Sequence, residues 1–114
     1  MTKELTLQEL QARLRANPQL VLLEALPDKY YRDWHLPGAR HLPHDEVRAK
    51  AADVVPDKST PIVVYCASDT CRNSHIAASE LSRLGYVDVA AFTGGKKAWS
   101  EAGLPVERDA TIAA

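Results

Sequence analysis

The run Ile62-Val63-Val64-Tyr65 offers no polar side chain to either side. Three β-branched residues and an aromatic favour extended backbone. Successive strand residues point to opposite faces, so an unbroken apolar run needs both faces covered. That is the condition of a strand inside a parallel sheet with helices above and below.

The flanking segments supply the covering pieces. Thr6-Leu7-Gln8-Glu9 has the spacing of a capping box, with Thr6 as N-cap and Glu9 at the third helical position. Leu7, Leu10 and Leu14 follow at helical spacing, and the helix is expected to end near Asn17-Pro18. Leu20-Val21-Leu22-Leu23 predicts a buried strand, residues 29–34 a short helix, Pro37-Gly38 a turn and residues 39–42 a short strand. Residues 45–53 predict a helix capped by His44 or Asp45 and stopped by Pro56. Residues 74–84 predict a helix with Ile76, Ala77, Leu81 and Leu84 on one side and Gly85 as its stop. Residues 87–92 predict another strand. Gly94-Gly95 predicts a loop and residues 97–102 a last helix, ended by Gly103. The tail from Arg108 onward is expected to fray.

Strands alternating with helices imply an α/β fold with a central, mainly parallel sheet and helices on both faces. The 114 residues fit one domain, 1–114. Fourteen basic against fifteen acidic residues leave a net charge of -1. That balance predicts neither a nucleic-acid footprint nor a polybasic membrane patch. Met1-Thr2-Lys3-Glu4-Leu5 leads straight into charged, amphipathic sequence, without the apolar core of a signal peptide. No apolar run approaches the ~18 residues of a membrane span, so a cytoplasmic protein is expected. Cys66 and Cys71, the two cysteines, are too few for a secreted disulfide framework. His75 is the one histidine near them in sequence, so neither a metal nor a cofactor is expected.

In open α/β sheets, ligands bind beyond the carboxyl ends of the strands. Cys66 stands there, opening the segment Cys66-Ala67-Ser68-Asp69-Thr70-Cys71-Arg72-Asn73-Ser74. A tight loop between a strand and a helix can turn successive backbone N–H groups inward as an anion nest, and the helix adds its positive end. Such surroundings would lower the pKa of Cys66 and prime its thiolate for attack. Arg72 could grip an oxyanion with two donors. Ser68, Thr70 and Ser74 offer hydroxyls. The plain alternative is a cysteine serving as a small buried hydrophobe. Cys71 is either a resolving thiol or a structural residue at the helix start. Asp69 is discordant, because a carboxylate in an anion nest repels anions; it faces solvent or biases the site toward thiols and neutral substrates.

Several motifs in order along the chain resemble one family. Leu22-Leu23-Glu24 resembles a strand ending in the family's acidic residue, and His35-Leu36-Pro37-Gly38-Ala39 resembles its His-Ile-Pro-Gly-Ala signature. Val63-Val64-Tyr65-Cys66 resembles the strand that delivers its catalytic cysteine. Gly85-Tyr86-Val87, Gly94-Gly95 with Ala98-Trp99, and Ala102-Gly103-Leu104-Pro105-Val106 are similar to its C-terminal signature. The family is that of single-domain rhodaneses, and the resemblance covers nearly the whole chain. It implies a three-layer fold with about five parallel strands. It also implies a sulfurtransferase in which Cys66 carries sulfur as a persulfide, taken from thiosulfate, polysulfide or a persulfide donor. The sulfur would pass to cyanide or a thiol, a protein thiol included, with the loop amides holding the negative charge. Neither nucleic acid nor membrane is an expected partner.

Departures from the pattern matter. The arginine and glutamate that follow the family's strand-end acid are replaced by Leu26 and Tyr30, which suggests an apolar contact in place of a pair. Trp34 takes the place of the glycine before the signature histidine. Five residues separate Cys66 from Arg72, where rhodaneses have four, and Cys71 stands at the usual arginine position. A loop of that length resembles those of related cell-cycle phosphatases and rhodanese-like arsenate reductases. They form an alternative class, with Asp69 the nominal general acid. A third is a non-enzymatic redox or binding module using Cys66 and Cys71. Among other residues, His35 is expected to bond backbone, and His75 to face solvent or pack, with contact to the site as its alternative. Glu24 is expected to cap a loop or pair with a cation such as Arg72, in a supporting role. Trp99 is expected in the core, and Lys96 and Lys97 on a solvated face or attracting an anionic donor. Trp34, Tyr30 and Tyr31 are read as packing residues that could also rim the pocket.

Overall fold

The computed structural model describes residues 3–108. Strand β1 (Lys3–Leu5), helix α1 (Leu7–Ala16), β2 (Val21–Glu24), α2 (Asp28–Asp33), β3 (Arg40–His41), α3 (Val47–Val54), β4 (Ile62–Tyr65), α4 (Asn73–Arg83), β5 (Val89–Phe92) and α5 (Gly95–Glu101) follow one another. The strands form one five-stranded sheet in the order β1-β5-β4-β2-β3, every pair parallel. The all-apolar strand β4 lies at its centre, between β2 and β5.

Alternation along β2 and β4 divides the core. Val21, Leu23, Ile62 and Val64 face one cluster, closed by Val47 and Ala51 of α3 and Ala77, Ala78 and Leu81 of α4. Leu22, Val63 and Tyr65 face the other, closed by Leu10 of α1 and Trp99 of α5, with Tyr31 of α2 packed against it. The expected three-layer α/β architecture is therefore present. Thr6 caps α1 as expected: its Oγ1 accepts from Glu9 N–H, and Glu9 Oε1 accepts from Thr6 N–H. Among the described residues, no helix is long and apolar enough to cross a membrane.

Four differences from the sequence reading exceed a one-residue shift at an element's end. β1 was not expected; two of its three residues are exposed, so no periodicity marks it, and pairing with β5 from Lys3↔Ala90 to Leu5↔Phe92 makes it a strand. α3 begins at Val47 after Glu46, with no side-chain cap from His44 or Asp45. There the His44 N–H is taken by Ala25 O at 3.2 Å, which holds the chain beside β2. β5 begins at Val89 because the Val87 N–H turns away to Lys58 O. α5 begins at Gly95, inside the expected loop, because the Lys96 and Lys97 N–H groups find acceptors on the Cys66 segment. The expected frayed tail lies, beyond Arg108, outside the described residues.

Candidate active site

The register Leu23↔Val64 and Glu24↔Tyr65 sets the carboxyl ends of β2 and β4 side by side, so Glu24 and Cys66 emerge at the same sheet edge. Lys96 N–H donates to Cys66 O and Lys97 N–H to Ala67 O, both at 2.9 Å. This approach needs Gly95: its φ is +60°, and a Cβ there would lie 2.3 Å from Cys66 O. Left-handed backbone and missing side chain are both requirements that glycine meets.

Beyond Ala67 the chain tightens. Cys71 N–H donates to Ser68 O at 3.1 Å, and the Ser68 and Thr70 hydroxyls lie 3.0 Å apart. Arg72 precedes α4, with its carbonyl accepting from Ile76 N–H. Among the described residues, no protein acceptor takes the N–H groups of Ala67, Ser68, Asp69, Thr70, Arg72 or Asn73. Four of these residues, Ala67, Asp69, Thr70 and Arg72, are exposed, so their N–H groups are open to water or to a ligand.

Cys66 itself is 1% exposed. Its sulfur lies 3.3 Å from Cys71 O, 3.7 Å from Ser74 Oγ and 3.9 Å from Ser68 O. The expected lowering of its pKa is not found. Burial pushes the thiol up, and the Cys71 carbonyl, which accepts its proton, pushes the same way; the Ser74 N–H and hydroxyl oppose them. The oxygen nearest the sulfur is a carbonyl, that of Cys71, with the Ser74 hydroxyl next.

The other expected loop residues divide by exposure. Ser74 is buried, Ser68 and Cys71 are half-buried, and Ala67, Asp69, Thr70 and Arg72 are exposed. Asp69, Thr70, Cys71 and Arg72 line a cavity of about 560 Å³ with Glu4 and His75. Cys66 is not part of its wall. The Arg72 guanidinium makes no hydrogen bond or ion pair with a described residue. His75, expected in solvent or packing, instead holds Glu4 of β1 at 2.8 Å.

Glu24 is fully buried and does not pair with Arg72. Its Oε1 accepts from Tyr65 OH at 2.9 Å and lies 3.0 Å from Lys96 Nζ; its Oε2 has no partner. Tyr65 OH in turn accepts from Leu36 N–H at 3.2 Å. Lys96 also donates to Tyr30 O at 2.7 Å and lies 4.8 Å from the centre of the Trp34 ring. Burial pushes the Glu24 carboxyl up and the Lys96 ammonium down, each partly restrained by the other's charge. Lys96 is thus removed from the solvated face on which the sequence placed it, whereas Lys97 remains exposed. At the positions of the missing pair, Leu26 is buried and Tyr30 is exposed, and the cation beside Glu24 comes from α5. Lys96, Tyr65 and Gly95 are the residues that sequence reasoning missed. One signal was available, since a lysine in the first helical turn opposes the helix dipole and calls for another reason to be there.

His35, Trp99, Tyr31 and Trp34 bond or pack within the fold. His35 Nδ1 lies 2.9 Å from Tyr31 O, and its ring stacks on Tyr31 at 3.9 Å. Trp99 donates from Nε1 to Pro105 O at 2.7 Å and is buried. Tyr31 and Trp34 pack against the core.

Comparison with known proteins agrees with this arrangement. Residues 6–102 match the family described as Rhodanese-like domain. The thiosulfate sulfurtransferase PspE of Escherichia coli is 38% identical over 64 residues, covering 56% of this chain and 59% of that protein. The HTH-type transcriptional regulator Rv0324 of Mycobacterium tuberculosis is 30% identical over 107 residues, covering 88% of this chain and 43% of the regulator. The chain thus spans about half the length of these curated relatives. A crystal structure of thiosulfate sulfurtransferase from Pseudomonas aeruginosa superposes with a TM-score of 0.80 at 31% identity, over 94% of this chain and 20% of that one. With the sheet order, the strand-end cysteine and a family match over most of its length, the chain belongs to the rhodanese-like domain family.

Proposed function

We propose that this domain is a sulfurtransferase in which Cys66 carries sulfane sulfur. The observation that carries the reading is a buried thiol at the carboxyl end of β4, opening a loop whose N–H groups from Ala67 to Thr70 have no protein acceptor among the described residues. Such donors match a persulfide or sulfonate charge that arrives only with substrate, a preorganised electrostatic arrangement. Similarity to the two thiosulfate sulfurtransferases supports it.

The chemistry has two steps. The Cys66 thiolate attacks the outer sulfur of thiosulfate. A new S–S bond forms as the old one breaks, and sulfite leaves with the electron pair. An acceptor thiolate or cyanide then attacks the outer sulfur of the persulfide, and Cys66 leaves as thiolate. Ser74 stabilises that thiolate, and the exposed Arg72 draws the anionic donor toward the loop. Intact-mass analysis after thiosulfate or polysulfide treatment tests the reading. It requires a gain of one sulfur atom, absent in Cys66→Ser; an unmodified wild-type protein would refute it.

The regulator similar over 88% of the chain favours a second reading, a sulfur- or oxidant-sensing module within a longer protein. Cys66 and Cys71 would then form a reversible disulfide. Thiol titration before and after mild peroxide decides, because both thiols must disappear together.

A further inference from the structure

Lys96 makes two kinds of contact that meet at Cys66. Its side chain, in a residue only 7% exposed, reaches Glu24 of β2, Tyr30 O of α2 and the Trp34 ring. Its backbone N–H donates to Cys66 O. These contacts close a ring. Glu24 Oε1 holds both Lys96 Nζ and Tyr65 OH, Tyr65 is peptide-bonded to Cys66, and Cys66 O returns to Lys96. The nucleophile's own peptide unit is one link.

We propose that Lys96 is the positioning residue of Cys66. An apolar residue could pack the first turn of α5 onto the sheet. It could not tie that turn to the strand-end acid whose Oε1 also holds the tyrosine before the cysteine. With Leu26 where an arginine beside the acid is usual, the counter-ion of Glu24 arrives on the residue that fixes the Cys66 carbonyl. The side chain sets the turn, and the turn sets the direction in which the Cys66 carbonyl, and so its sulfur, leaves β4. The inference rests on Cys66 being the reacting residue.

Two variants test it, Lys96→Met and Lys96→Met with Glu24→Leu, the second removing both charges in case a lone buried Glu24 prevents folding. Two measurements are made on each: the pH profile of Cys66 alkylation by iodoacetamide, and kcat and KM for thiosulfate. The groups facing Lys96 are Glu24 of β2, Tyr65 of β4 and Asp33 of α2, with His35 acting on Glu24. The single variant leaves them all in place. Displacement of the Cys66 carbonyl predicts a shifted alkylation midpoint and a kcat lower by on the order of tenfold at unchanged KM. A merely structural lysine predicts a lower melting temperature with the wild-type midpoint, kcat and KM, and that result overturns the proposal. A folded double variant with a shifted midpoint supports it; one with the wild-type midpoint overturns it, as does failure of both variants to fold. Wild-type protein that transfers no sulfur refutes the proposed function, while the alkylation profile still tests Lys96.

Discussion

The Cys66 sulfur lies 3.3 Å from the carbonyl oxygen of Cys71, an acceptor that bonds a thiol and repels a thiolate. Burial and this contact both push the Cys66 thiol up.

Alkylation of Cys66 should accordingly rise with a midpoint above the ~8.5 of an ordinary cysteine. The sign for stability follows. A thiol whose pKa is raised by folding stabilises the fold fully below its unfolded value, and that contribution is lost as pH rises through the folded value. Urea midpoints should fall at alkaline pH in the wild type and fall less in Cys66→Ala. A midpoint near 7 for alkylation would contradict this account.

Ser74→Ala removes the hydroxyl 3.7 Å from the Cys66 sulfur and leaves the Ser74 N–H in place. The Cys66 midpoint should move up, because a hydrogen bond that favours the thiolate is lost. Sulfur loading at neutral pH should slow several-fold. Paired alkylation and loading rates on the two proteins check it.

Gly95→Ala places a methyl 2.3 Å from Cys66 O, at a φ of +60°. Left-handed strain adds to the overlap, so the cost should exceed about 2 kcal/mol. The turn should separate from Cys66, with reactivity of the thiol altered alongside stability. Equilibrium urea unfolding gives the first quantity and alkylation the second.

Tyr65→Phe deletes the hydroxyl between Glu24 Oε1 and Leu36 N–H, leaving a buried N–H unsatisfied. The loss should be about 1–3 kcal/mol. A loss well below that range in urea unfolding would mean that the hydroxyl contributes little.

The sheet and its cover were legible because they depend on local pattern. β4 declared itself by composition, α1 by its capping box, α4 by the spacing of Ala77, Leu81 and Leu84 and a closing glycine, although Ile76, expected on the same side, is exposed. Cys66 was legible as a strand-end residue before a helix. What escaped were features that need partners distant in sequence. β1 is a strand only because β5 lies beside it. Lys96 is buried only because Glu24, 72 positions earlier in the numbering, needs a cation. The protonation of Cys66 escaped for a different reason: a loop sequence fixes how many N–H groups it has, but not whether N–H or C=O turns to the sulfur.

The two carbonyls held by α5, at Cys66 and Ala67, have a consequence for traffic through the domain. A carrier on a flexible tether can swing its cargo from one station to the next. Here the tether is clamped at the base, and in the sulfur-transfer reading the cargo is handed over at the berth where it was loaded. Donor and acceptor must take turns at a single dock, so throughput depends on how fast one visitor clears the way for the next.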